Sequence, residues 1–205
     1  MVDEPEFRRT AVGLDLSLTA SGVAVIRRVG IEPSHLQLAR VGADGITNMP
    51  VAQQIDAIRQ LADRVDAKLD LRARDVPVVA VVEALENGYT YGGATERTVL
   101  WWEVVTRLSG MTVYMPTSAQ VKIYATGNGR ASKKEVIAAV KQHWPWWAVG
   151  DDDNLADAAV MAEIGIAFAD EPSANLPATH TRVLSKIRKI TDPPARVANR
   201  KAKQR

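Results

Sequence analysis

The chain contains no cysteine. A disulfide frame and a thiolate metal site are therefore excluded, which fits an intracellular, cytoplasmic protein. Long apolar runs are also missing. Nothing approaches the roughly 20 apolar residues needed to span a bilayer. VPVVAVV is too short, and AVMAEIGIAFA is broken by Glu163. The opening MVDEPEFRRT lacks the apolar centre of a secretory signal. Histidine is scarce, and His35, His143 and His180 show no ligand spacing. No internal repeat is visible. What remains, 205 residues at 46% hydrophobic composition, suits one globular domain.

The whole-chain charge of +2 hides an asymmetry. From Arg182 to Arg205 there are nine Lys or Arg residues and one Asp, a local charge of +8; the other 181 residues carry −6. An acidic body with a basic end suggests a polyanionic partner, nucleic acid above all. A solvated, solubilising tail is the plainer alternative. The expected division is a domain over 1–172 and a flexible basic extension over 173–205.

Local patterns give an order of elements. RTAVGLDLSL opens with a short apolar strand, and SGVAVIRRVG reads as a second strand after a tight turn. HLQLARVG alternates as a third; the short links favour an antiparallel meander. VAQQIDAIRQLADRVDAKLDL carries Val51, Ile55, Ile58, Leu61, Val65 and Leu69 at helical spacing. VPVVAVVE reads as a strand buried on both faces. ENGYTYGGA is a loop, TERTVLWWEVVTRL a helix and MTVYMP a strand stopped by Pro116. TSAQVKIYA begins with a Thr-Ser cap signal. Ser132 and Glu135 form a capping box at the head of SKKEVIAAVKQHW. A last helix spans about 153–169, and VLSKIRKI in the tail reads as a short amphipathic helix. The fold class is α/β, a mixed sheet with helices on its faces.

The carboxylates stand out against this frame. Asp15 lies between Leu14 and Leu16, where an unpartnered charge is costly; a cap on the following turn, with Ser17 or Thr19, is equally open. Glu83 ends a buried strand, the position at which open sheets place ligands; a solvated strand end is the alternative, and the same holds for Glu86. Asp153 and Asp157 are about 40° apart on one helix face, where like charges repel. Capping accounts for Asp151 or Asp152. It does not account for Asp157, flanked by Ala156, Ala158 and Ala159. All-oxygen donors suit Mg²⁺ or Mn²⁺, and three or four carboxylates can hold two such ions for phosphoryl chemistry.

These residues, in this order, resemble the RuvC family of Holliday-junction resolvases, of RNase H-like fold. GLDLSLTASGVAVI looks like the family's opening strand–turn–strand with its first acid at Asp15. VVAVVEALENG looks like the second acidic motif, at Glu83. TSAQVKIYATGNGRASKKEV resembles the segment that approaches DNA through a Val-Lys helix, a Gly-x-Gly loop and a Ser-Lys pair. NLADAAVMA looks like the final acidic helix, with the last acid at Asp157. The resemblance implies a five-stranded sheet, a three-strand meander plus two parallel strands. It also implies two metal ions (Mg²⁺ or Mn²⁺) held by Asp15, Glu83, Asp153 and Asp157, and catalysis by these acids with Lys133. DNA contacts fall to Lys122, Lys133, Lys134 and Arg130, and to Tyr89 and Tyr91 on the loop after Glu83.

Some positions depart from the family pattern. Many members carry an acid three residues before the last one; here that position is Asn154, and Asp153 is the nearest acid. Leu16 stands where a proline is common, and HWPWW and the basic tail are extra. These departures imply a divergent, phage-encoded member, acting in the host cytoplasm. The resemblance further implies cleavage of branched DNA by a homodimer, with Trp101 and Trp102, about 100° apart, facing the core and an interface. The Trp-rich stretch reads as core or loop packing. The alternatives are a broader debranching nuclease, a non-catalytic DNA-binding relative, and an actin-like ATPase, for whose second lobe there is little room.

Overall fold

The computed structural model describes residues 8–30, 32–69, 78–85, 93–169 and 176–190. Its sheet is built first from a meander, β1 (Arg8–Asp15), β2 (Ser21–Val29) and β3 (Glu32–Val41), joined by antiparallel pairing. α1 (Val51–Ala67) leads to β4 (Val78–Val82), which returns parallel to β1. α2 (Ala94–Arg107) leads to β5 (Thr112–Met115), parallel to β4. Then come α3 (Ser118–Thr126), α4 (Lys133–His143), α5 (Asp153–Ala169), α6 (Ala178–Leu184) and β6 (Arg188–Lys189). The strand order is β3-β2-β1-β4-β5-β6.

The expected mixed α/β sheet is present, with six strands where five were expected. β6 is the addition, antiparallel to β5. It replaces the second half of the helix expected over VLSKIRKI. Val183, Ile187 and Ile190, spaced by four and three, mimic one helix face. In the fold the helix stops at Leu184 and Ile187 and Ile190 pack on opposite sides of the sheet. Pairing with the open edge of β5 supplies hydrogen bonds, Ile190 N–H to Val113 O at 2.9 Å among them, that outweigh local helical preference. Of the extension expected from residue 173, residues 178–190 are therefore packed on the domain; 191–205 lie outside the described residues.

The period-2 alternation of each strand sorts the core into two layers. Val12, Leu14, Val23, Val25, Ala80 and Val82 face α1 and α2, joined by Ile58, Leu61, Val65, Leu100, Trp101 and Val104. Ala11, Ala24, Ile26, Val79 and Val81 face the other way, against α5 and the helices around it. The Ser132–Glu135 capping box forms, and at the Thr-Ser cap signal Thr117 makes a second box with Gln120. The spacing of Val51 and Ile55 suggested core, but both are exposed, at 72% and 38%. Among the described residues no helix is long and apolar enough to cross a membrane.

α5 lies unusually close to the sheet because glycines make room for it. A Cβ on Gly13 would meet the Ala158 carbonyl oxygen at 2.0 Å, and one on Gly22 would meet the Asn154 carbonyl oxygen at 2.1 Å. Backbone cannot yield as a flexible side chain does, so the helix would have to lift. Gly13→Ala should cost about 1–3 kcal/mol, the usual range for overpacking, measured as a fall in the urea midpoint at constant m. A midpoint unchanged from wild type would show that the helix seats without this contact.

Candidate active site

The sheet's open end is where the parallel strands β1, β4 and β5 finish. Asp15 is the last residue of β1, level with Gly22. Glu83 directly follows β4, its N–H donating to the Leu14 carbonyl at 3.3 Å. Pairing of Leu14 with Val82 puts the next residues, Asp15 and Glu83, side by side. α5 starts over the same end with Asp153 and carries Asp157 one turn on. The glycine seats described above hold these two aspartates against the strand ends.

The turn after Asp15 closes without help from its carboxylate. Ser21 does this work: its hydroxyl donates to Ser17 O at 2.6 Å and accepts the Ser17 N–H at 3.0 Å. Asp152 caps α5, accepting the Leu155 N–H at 3.1 Å, and meets Arg40 at 3.4 Å. Asp151 pairs with Lys141 at 3.0 Å. Of the four neighbouring aspartates Asp152 thus serves helix entry and Asp151 a surface ion pair, and Asp153 and Asp157 are the pair whose charges reach Asp15.

The electrostatics record this crowding. Burial pushes the Asp15 carboxyl up to about 8; Glu83 and Asp157 add to the rise, Arg97 opposes it and Asp153 adds again. Burial also pushes Asp157 up to about 6, with Asp153 raising it and Lys122 and Lys133 pulling it down. Lys133, at the first position of α4, is paired with Asp153, and that hydrogen bond holds its ammonium pKa above the ordinary lysine value. Four acids and three cations thus share one field. Buried, like-charged acids whose carboxyl pKa values are raised suit a hard divalent cation with oxygen ligands. Among the described residues, no three His, Asp or Glu side chains stand close enough to hold a metal ion in this arrangement. At Asp153 the positive charge is supplied by the Lys133 ammonium.

The sequence-derived site residues divide as follows. Asp15, Glu83, Asp153, Asp157, Lys122 and Lys133 are brought together. Arg130 and Lys134 are exposed on and beside the 127–132 loop, Lys134 following Lys133 in α4. Tyr89, Tyr91 and Glu86 lie outside the described residues.

Arg97 was missed by sequence reasoning. It sits in the first turn of α2, its N–H bonded to Gly93 O, and four residues before Trp101. Trp101 is buried and its indole N–H donates to the Glu83 carbonyl at 2.9 Å. Residues four apart share a helix face, so the bond that ties α2 to the end of β4 also aims Arg97 at Asp15. A cation in a first turn opposes the helix dipole; that local oddity was the available signal. Trp102, by contrast, is 57% exposed; of the expected pair, Trp101 is the member that faces the core.

Glu163 was also passed over, as a mere interruption of an apolar run. It is 4% exposed. Its carboxylate accepts the indole N–H groups of Trp146 at 3.0 Å and Trp147 at 2.9 Å, and pairs with Arg28 at 2.7 Å. This locks the HWPWW stretch, which leads directly into the acidic start of α5. The packing role expected for these tryptophans is present, with a polar anchor at its centre.

Comparison with known proteins places the geometry. A family model described as crossover junction endodeoxyribonuclease RuvC matches residues 11–164. None of the curated proteins matches. Among solved structures, Thermus thermophilus RuvC is 21% identical, with a TM-score of 0.51, covering 75% of this chain and 90% of that one. T. thermophilus RuvC in complex with a Holliday junction substrate is 19% identical with the same TM-score and coverage. At these identities the structural likeness speaks for the fold, and the family match for the lineage. A chain with two acidic strand ends under an acidic helix, matched over three-quarters of its length, belongs to the RuvC family of crossover junction endodeoxyribonucleases.

Proposed function

We infer that the protein resolves four-way DNA junctions by paired, symmetric nicks. Family membership makes it a phosphodiester hydrolase acting on DNA. The observation that carries the finer reading is the shared field of Asp15, Glu83, Asp153 and Asp157 at the open end of the sheet. These four residues would hold Mg²⁺ or Mn²⁺, which would supply a nucleophilic water at neutral pH and charge neutralisation at the phosphate. Lys133 moves from Asp153 to the scissile phosphate, where a fixed cation offsets developing negative charge. Lys122 and Arg97 hold neighbouring backbone oxygens and keep the acidic cluster from repelling the DNA. Arg130 and Lys134 extend this basic lip, and the tyrosine loop supplies aromatic contacts at the crossover.

Two symmetric strands require two sites, and hence a two-fold dimer. The exposed Trp102 on α2, together with Val51 and Ile55 on α1, supports a self-complementary face on the helical layer opposite α5. The test is cleavage of a labelled four-way junction in Mg²⁺, beside a replication fork and a linear duplex. Paired nicks confined to the junction are expected, lost in Asp157→Asn. Equal cutting of the fork would point to a general debranching nuclease. Tight junction binding with no cutting in Mg²⁺ or Mn²⁺ would point to a non-catalytic relative.

A further inference from the structure

Residues 165–205 lie beyond the family match, yet 178–190 are built into the domain. The register shows where they end up. Gly13, Val81, Tyr114 and Lys189 form one row across four strands. One residue nearer the open end, Leu14 pairs with Val82, and Arg188 pairs with Met115. Because β6 runs antiparallel, the residues before it lie further out. Ile187 falls level with Asp15 and Glu83, and Lys186 lies beyond that level, on the lip of the active site.

The segment is pinned there by three contacts. The His180 ring stacks on Tyr124 of α3 with centroids 4.1 Å apart. The Gln120 side-chain amide of α3 donates to the Lys186 carbonyl at 3.0 Å. Val183 and Ile187 are buried in the core layer that includes α5. These contacts use the ring, the main chain and the apolar side chains. Arg182, Lys186 and Arg188 are left exposed, and none of the three has an ion-pair partner among the described residues.

The charge of this region has one sign. Residues 112–134 and 176–190 together hold eight Lys or Arg and no Asp or Glu. They include Lys122 and Lys133, whose charges reach Asp157. β6 lies two strand spacings from β4 and three from β1, about 10–14 Å from the acidic strand ends. At about 3.4 Å of axial rise per phosphate on one strand, that distance is three or four nucleotides.

We propose that α6 and β6 form a basic shelf that continues the active-site lip and binds the DNA backbone of one junction arm, three to four nucleotides from the cut, through Lys186 at the open end and Arg188, which leaves the edge strand on the α1/α2 side of the sheet. The proposal rests on the junction-cleaving reading above and adds a contact that the family-matched part of the chain does not contain. Phosphate contacts position DNA without reading its sequence. The shelf therefore sets affinity and its salt dependence, and leaves the chemistry alone.

The test is binding of a fluorescent four-way junction in EDTA across a salt series, with full-length wild type, Lys186→Gln/Arg188→Gln and a chain ending after Ile190. Cleavage at saturating junction in Mg²⁺ is measured alongside. The double variant should bind roughly tenfold more weakly near 0.1 M salt, and its log–log salt slope should fall by about 2, near 0.9 per phosphate lost. Its melting temperature should equal wild type, because both side chains are exposed. Wild-type affinity and slope in the double variant, with junctions still cut, would overturn the shelf and leave the junction reading standing. The same result would follow if truncation after Ile190 alone removed the whole salt dependence. A wild-type chain that neither bound nor cut junctions would overturn both.

Discussion

Asp15→Asn should abolish cleavage and, in EDTA at pH 8.5, raise the melting temperature. The loss of activity should be on the order of 10³-fold or more, since Asp15 is the acid that faces both Glu83 and Asp157 and removal of one preorganised electrostatic group already costs 10²–10³. The gain in stability follows from the same crowding. The Asp15 carboxyl is raised from 3.8 to about 8 in the folded chain. A folded-state pKa above the unfolded value means that the stabilising contribution is fully present below about pH 4 and is lost as pH rises through about 8. Asp157, raised to about 6, adds a loss in the lower part of the window. Metal-free wild type should therefore be less stable at pH 8.5 than at pH 5. Asparagine removes the titration and should recover about 2–4 kcal/mol at the higher pH. Mg²⁺ should stabilise wild type more than the variant. Thermal melts with and without EDTA at the two pH values decide this. An Asp15→Asn chain that still cuts junctions, or that melts below wild type at pH 8.5, would place the active site elsewhere.

Glu163→Ala should be the most destabilising single change, at about 3–5 kcal/mol. It strips the partner from the Arg28 guanidinium, which is 15% exposed at its side chain, and from two indole N–H groups. A buried donor left unmade costs more than the bond it formed was worth. Arg28 also lies over the Trp146 ring at 5.4 Å, so the arrangement fails as a unit. Glu163→Gln keeps an acceptor oxygen and should lose roughly half as much. Glu163→Leu combined with Arg28→Met should recover only the share due to the unpaired charge, because the Trp146 and Trp147 indole N–H groups still lose their acceptor. Urea unfolding followed by tryptophan fluorescence reports directly on Trp146 and Trp147. A loss below 1 kcal/mol for Glu163→Ala would mean that the three donors find other acceptors and that the anchor is incidental.

Much of this site was legible because its signals are local. Asp157 inside an alanine-flanked helix, Glu83 at the end of an apolar strand and the Ser132–Glu135 capping box are each visible within a handful of residues. Hydrophobic alternation gave the order of strands and helices up to α5. What stayed hidden depends on distant pairing. Arg97 acquires meaning only once Trp101 docks on the end of β4. Glu163 is explained by Arg28, 135 positions away, and by indoles whose polar edge is invisible in a hydropathy pattern. β6 was hidden by a spacing that fits a helix, and only the unpaired edge of β5 resolves it. Val51 and Ile55 fit the apolar face of α1 by periodicity, yet both are exposed, which spacing alone does not reveal.

The short sixth strand has a second consequence, for how the protein behaves at high concentration. An unpaired sheet edge recruits other edges and drives aggregation. Here β6 covers β5 with two residues, both positively charged. At the opposite margin, β3 carries Pro33, and the ladder slips at Arg27/Arg28. Both margins therefore resist strand-to-strand growth. A chain cut back to the end of α5 would bare Thr112–Met115, and such a fragment should precipitate on concentration where the full chain stays dispersed.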